Sequence, residues 1–356
     1  MPLEGSIEEA VKLLKNSTVL QIVKNLRRLI EVPFNASVRD TLNTMHAHDI
    51  LAVAVAAPPG QWIGAGGTRI LEADKCTGVV RKHYIGMVSV TDILVHIVED
   101  NAQMSVPISK VIGHSLESLN LWTIGPSTSV YDAVEPMSKG VHRVLVPFES
   151  ERDVLGVESV EASPGYHILT QTDILQFIQD HAKLLEGFLS LSIADIGAVK
   201  RSVYAVPHTM PVMNAFKCMA STLLPAVPIV QADPRLDMES TLINGEGRKL
   251  IGTISASDLR SCNSDTLSSC SSISVLEWAH KVWVSKHFGA GAAVGPEANV
   301  WQVKPQLTCR LATPVGEVIA LALRNHIHRV WITDDQGSLM GLVALSDILS
   351  VFHKKA

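Results

Sequence analysis

IGMVSVTDIL, residues Ile85–Leu94, returns three more times along the chain: as HILTQTDIL (His167–Leu175), IGTISASDLR (Ile251–Arg260) and MGLVALSDIL (Met340–Leu349). Each copy runs from an alternating apolar stretch into Ser or Thr, then Asp, then an apolar residue. The aspartates are Asp92, Asp173, Asp258 and Asp347, preceded by Thr91, Thr172, Ser257 and Ser346. Six residues before each aspartate stand Gly86, His167, Gly252 and Gly341, so one copy lacks the glycine. Such self-similarity marks a supersecondary unit that buries its apolar face against its neighbours.

A second element precedes each copy. Val38, Leu42 and Met45 fall at i, i+4 and i+7, as do Val130, Val134 and Met137, then Val212, Phe216 and Met219, then Val315, Ile319 and Ala322. This spacing predicts a short amphipathic helix. Ser37 and Ser129 supply capping hydroxyls, and Thr313-Pro314 predicts a cap followed by a first-turn proline. The stretches LAVAV, VHRVLVPF, PAVPIV and HRVWIT that follow are rich in β-formers. One unit therefore reads helix, strand, strand, helix, an α/β arrangement. From the first stripe residue to the aspartate is 54, 43, 46 and 32 residues, so the loop between helix and second strand varies in length.

Composition narrows the function classes. Hydrophobic residues make up 47% of the 356, mean hydropathy is +0.23, and charged residues are only 18%. That balance excludes a disordered chain and suggests a partly covered surface. The net charge of −5 argues against a general nucleic-acid binder. Five cysteines (Cys76, Cys218, Cys262, Cys270 and Cys309) lack any CxxC spacing, which suggests a reducing compartment without disulfides or zinc. The uncharged run Ile50–Thr68 contains Pro58, Pro59 and four glycines, so it predicts no membrane span. A soluble protein of the cytoplasm, the nucleus or both is expected.

Four such units resemble cystathionine-β-synthase (CBS) repeats, expected at residues 16–100, 106–182, 190–262 and 273–356. The resemblance implies pairing into two Bateman modules, 16–182 and 190–356, in a disk-like assembly. Two pairs with no appended catalytic domain resemble the γ regulatory subunits of AMP-activated/SNF1-related protein kinases. The insert AAPPGQWIGAGG (Ala56–Gly67) with TGVVRKHYIG (Thr77–Gly86) is similar to the plant γ-like branch. The implied role is a non-enzymatic regulatory subunit with AMP, ADP or ATP as ligand and no required cofactor. The implied partners are the catalytic and β-type subunits of a SNF1-related kinase complex, with a homodimer as another assembly. A ligand-independent CBS scaffold is the alternative.

Two sets of residues carry the ligand reading. A hydroxyl closing a strand and an Asp opening a helix place acceptors and N–H donors at a positive helix end. Ser89, Thr170 and Ser255 stand three residues before Asp92, Asp173 and Asp258, whereas the fourth copy has Ala344. The same residues also suit a helix cap without any ligand. The second set is His142-Arg143 and His328-Arg329, in equivalent strands of units two and four. The resemblance implies that these gather around nucleotide phosphates at the centre of the assembly. Their other reading is an ion pair with Glu135 or Asp132. Departures weaken the nucleotide reading: the animal γ pattern has arginine where this chain has Leu51, and basic residues where it has Thr172-Asp173.

Gly64–Gly67 and Phe288–Gly291 read as flexible loops, and Arg81-Lys82-His83 as a solvated turn. Trp62, in the insert, suits a partner surface. No catalytic or metal-binding motif is visible.

Overall fold

The computed structural model describes residues 2–26, 28–57, 84–100, 103–115, 118, 120–148, 165–261, 273–288 and 306–354. Gly64–Gly67, Gly289–Gly291, Arg81–His83, Trp62, Cys76, Cys262 and Cys270 lie outside them.

Helices α1 (Pro2–Asn16) and α2 (Val19–Val23) lead into the first unit. That unit comprises β1 (Glu31–Pro33), α3 (Val38–Ala47), β2 (Ala52–Ala56), β3 (Tyr84–Ser89) and α4 (Val90–Glu99). The second has α5 (Val130–Ser138), β4 (Arg143–Pro147), β5 (Tyr166–Thr170) and α6 (Gln171–Asp180), followed by α7 (Glu186–Leu189). The third has β6 (Tyr204–Pro207), α8 (Val212–Thr222), β7 (Ala226–Val230), β8 (Ile243–Asn244), β9 (Leu250–Ser255) and a 3-10 helix (Ala256–Ser261). After α9 (Val275–Phe288) come β10 (Thr308–Cys309), α10 (Val315–Asn325), β11 (Arg329–Thr333), β12 (Leu339–Ala344) and α11 (Leu345–Ser350).

The twelve stripe residues are all buried, and each stripe falls on one helix: α3, α5, α8 or α10. Ser37 and Ser129 accept from the N–H groups of Asp40 and Asp132 at 3.0 and 3.1 Å, as N-caps do. The fourth start differs from expectation. Pro314 is itself the N-cap, and the Thr313 hydroxyl accepts from the Arg310 N–H instead. The expected second helix of the third unit is a 3-10 helix as far as it is described.

Sequence periodicity missed a short parallel strand in units one, three and four. β1, β6 and β10 run parallel to β2, β7 and β11, and Thr123 makes the same parallel contact with Leu145 in the second unit. These segments are two to four residues long, too short for alternation to register.

The missing glycine has a structural counterpart. In units one, three and four the hairpin register shifts just past the pairs Val55–Gly86, Ile229–Gly252 and Ile332–Gly341. In the second unit, Val146 faces His167 and the ladder continues unshifted to Pro147–Tyr166. A Cβ on Gly86 would stand 2.7 Å from the Ser118 carbonyl, and one on Gly341 2.7 Å from that of Lys200. The glycines thus admit a crossing segment at a bulge.

Burial joins the units in a cycle. Sheet faces join units one and two, where Ala54, Tyr84 and Met87 meet Leu145 and Tyr166. Units three and four join likewise, where Val203, Ala205 and Leu250 meet Trp331 and Leu339. Helices join the remaining pairs. The core of units one and three includes Met45, Ile93, Phe216, Leu259 and Trp278 of α9; that of two and four includes Met137, Ile174, Ile319 and Leu349, with Leu14 of α1. Each unit therefore buries its sheet against one neighbour and its helices against another, which is how two faces of a two-layer unit are both covered.

Candidate functional site

Where the cycle closes, four chain corners meet. Asp49 (φ 50°), Gly140 (φ 104°), Leu223 (φ 53°) and His326 (φ 51°) each lie three residues before β2, β4, β7 or β11. Three of the four are not glycine, and left-handed backbone at such residues costs about 1 kcal/mol or more each. The sequence reading did not single them out, because only Gly140 carries a compositional signal. All four line two adjoining cavities of about 910 and 360 Å³.

Three residues on, units two and four present Arg143 and Arg329, each preceded by its histidine. Units one and three present Ala52 and Ala226 at the same point. His142, Arg143, His328 and Arg329 all line the smaller cavity, joined by Ser89, Thr91, Ser255 and Ser257 of units one and three. No carboxylate among the described residues lines it. The larger cavity shares His142, Arg143, Ser257 and His328, and adds Thr170, Thr172, Asp173 and Asp258. The structure thus brings twelve of the fifteen expected site residues to one connected space. Asp92, Ser346 and Asp347 line neither cavity.

The aspartates cap helices, but through a different hydroxyl from the adjacent one. Ser89 and Thr170 are the N-caps. The Oδ2 atoms of Asp92 and Asp173 accept from the N–H of these caps at 2.8 Å and from their hydroxyls at 2.6 Å. Asp258 and Asp347 accept from the N–H groups of Ser255 and Ala344 at 2.9 Å. Capping occupies one carboxylate oxygen and leaves the other for a further partner. At Asp347 that partner is Lys200, 2.7 Å away. At Asp92 the remaining Oδ1 is buried with no partner among the described residues.

Two alternative partners for the arginines are engaged locally: Glu135 accepts from Lys139 and Asp132 from Ser129. Arg329 donates from Nη1 to the Ala226 carbonyl at 3.0 Å. Burial pulls its pKa down to about 10, with the Asp347 charge acting in the opposite direction. It remains a cation at neutral pH, held in a site that hydrates it poorly. Two guanidiniums, three histidines (His142, His326 and His328) and several hydroxyls in a pocket that no described carboxylate lines form a donor set suited to an anion. The aspartates in the larger cavity suit a hydroxylated group such as a ribose. No cluster of metal-ligating side chains occurs among the described residues, nor a helix long and apolar enough to cross a membrane.

The CBS domain family matches residues 300–354. The chain is 42% identical over 360 residues to the SNF1-related protein kinase regulatory subunit gamma-like PV42a of Arabidopsis thaliana, covering 97% of both chains. It is 40% identical to PV42b of the same plant, over 94% of this chain and 93% of that one. Among solved structures, an archaeal protein from Methanocaldococcus jannaschii, described as a homologue of the AMP-activated kinase γ subunit, superposes with a TM-score of 0.58. It is 14% identical and covers 94% of this chain and 100% of its own. That likeness is one of fold.

Proposed function

The chain belongs to the SNF1-related protein kinase regulatory subunit gamma-like family, and from that membership we propose that it binds an adenine nucleotide and modulates a SNF1-related kinase complex. Its relatives are regulatory rather than catalytic subunits, so ligand acts on the complex by shifting an equilibrium between conformations. One observation carries the ligand reading: Arg143 and Arg329, from units two and four, share a pocket with no lining carboxylate among the described residues. Phosphates occupy that pocket in this reading, and the ribose lies toward Asp173 and Asp258 in the larger cavity. The catalytic and β-type subunits of the kinase are the proposed partners.

Melting the purified chain with AMP, ADP and ATP tests this. A native-state ligand at 100 times its Kd adds about 2.7 kcal/mol, an easily measured shift. Arg143→Gln is expected to abolish the shift and Asp92→Asn, outside both cavities, to preserve it. No shift with any nucleotide would remove the ligand reading. It would favour the second, a ligand-independent scaffold, for which the Lys200–Asp347 pair speaks because it engages the fourth unit's carboxylate internally.

A further inference from the structure

Arg260 closes the third copy of the repeated segment, where the other three copies have Leu94, Leu175 and Leu349. Those leucines are fully buried in the helix-packed cores. Arg260 instead crosses from the third unit to the first. Its Nη1 donates to Asp49 Oδ1 at 2.8 Å and to the Ile50 carbonyl at 3.3 Å, beside the corner of unit one. The same guanidinium lines the larger cavity with His142, Ser257 and Asp258.

This bond is poorly secured. The Asp49 side chain is 61% exposed, so water screens its charge, while that of Arg260 is 14% exposed. Asp49 also sits in left-handed backbone. The Arg260 Nε is buried without a partner among the described residues, a state that costs free energy as long as it lasts. A core leucine has thus been exchanged for a cation that bridges two units through a screened carboxylate while one of its own donors goes unused. A multiply charged anion that extends from the smaller cavity past His142 and Ser257, which line both cavities, offers the guanidinium a better partner.

We infer that Arg260 is a ligand-operated latch: anion binding draws it off Asp49 and releases the link between units one and three. This rests on the anion site proposed above and adds to it a route by which occupancy reaches the exposed corner at Asp49. Asp49 and the ligand then compete for one side chain, so removing Asp49 and removing Arg260 act in opposite directions.

Calorimetric titrations of AMP, ADP, ATP and inorganic tripolyphosphate into the full chain and its Arg260→Leu and Asp49→Asn variants test it. Arg260→Leu restores the leucine of the other copies and is expected to fold while binding about tenfold more weakly. Asp49→Asn is expected to bind about two- to fivefold more tightly. Hydrogen exchange at residues 48–52 should quicken on ligand binding in the wild type and not in Arg260→Leu. Equal affinities in all three proteins would overturn the latch, as would weakening by Asp49→Asn. Wild-type protein that binds none of the four probes would overturn the anion site and the latch together. Tripolyphosphate bound as tightly as ATP, with the opposed variant effects intact, would overturn only the nucleotide reading and uphold the latch.

Discussion

Replacing Arg329 with methionine separates what a buried guanidinium does for the fold from what it does for a ligand. Lowering its pKa from the ordinary guanidinium value to about 10 corresponds to about 3 kcal/mol against the charged form in the unliganded protein. The sign is that of a desolvated cation: the penalty is present in full below the folded value and relieved only at strongly alkaline pH. Methionine keeps the apolar stem and removes the charge. It also gives up the hydrogen bond to the Ala226 carbonyl, worth about 1 kcal/mol. The unliganded variant is therefore expected to gain about 1–2 kcal/mol, read as a higher urea midpoint at unchanged slope. The stabilisation by saturating nucleotide should shrink in the same experiment, since a charge-assisted contact worth about 1.5–3 kcal/mol is gone. A variant destabilised by more than about 1 kcal/mol would show that Arg329 holds the strands together. An undiminished ligand effect would take it out of the site.

Two further outcomes follow from backbone and surface geometry. Gly140→Ala should destabilise by about 1–2 kcal/mol although no atom lies within 4 Å of the added Cβ, because φ of 104° strains any L-residue; Gly125→Ala, at ordinary φ, should be nearly neutral in the same melt. Arg248 donates to both carboxylate oxygens of Asp237 and holds that carboxyl below its ordinary 3.8. This stabilisation is complete above the ordinary value and vanishes as pH falls through the lowered one. Arg248→Met should therefore cost about 1 kcal/mol at pH 7, with the gap to wild type closing toward acid; a gap independent of pH would mean that the pair's charge contributes nothing.

What could be read from the residues alone was local and repeated. Stripes such as Val38–Leu42–Met45 register because helix period and burial act over a few residues, and four copies make the signal hard to mistake. The His-Arg pairs stood out because charge is rare in an apolar strand. Features resting on one or two residues were illegible: the strands preceding α3, α8 and α10, the role of Pro314 as the cap of α10 rather than its first-turn residue, and three left-handed corners at non-glycine residues. The caps illustrate the boundary between the two. The Ser/Thr-Asp spacing announced a helix start, yet only the coordinates assign Ser89, rather than the adjacent Thr91, as the partner of Asp92.

Long-range pairing was settled by tertiary structure alone. Arg260 meets Asp49 across 211 positions, and Lys200 meets Asp347 from another unit. Nothing in local propensity encodes either contact, because each depends on which helix faces pack once four similar units have closed their cycle. Burial of two apolar faces per unit sets that closure. The same closure brings Arg143 and Arg329 into one pocket, engages Asp347 with a lysine, and leaves Asp173 and Asp258 lining the larger cavity.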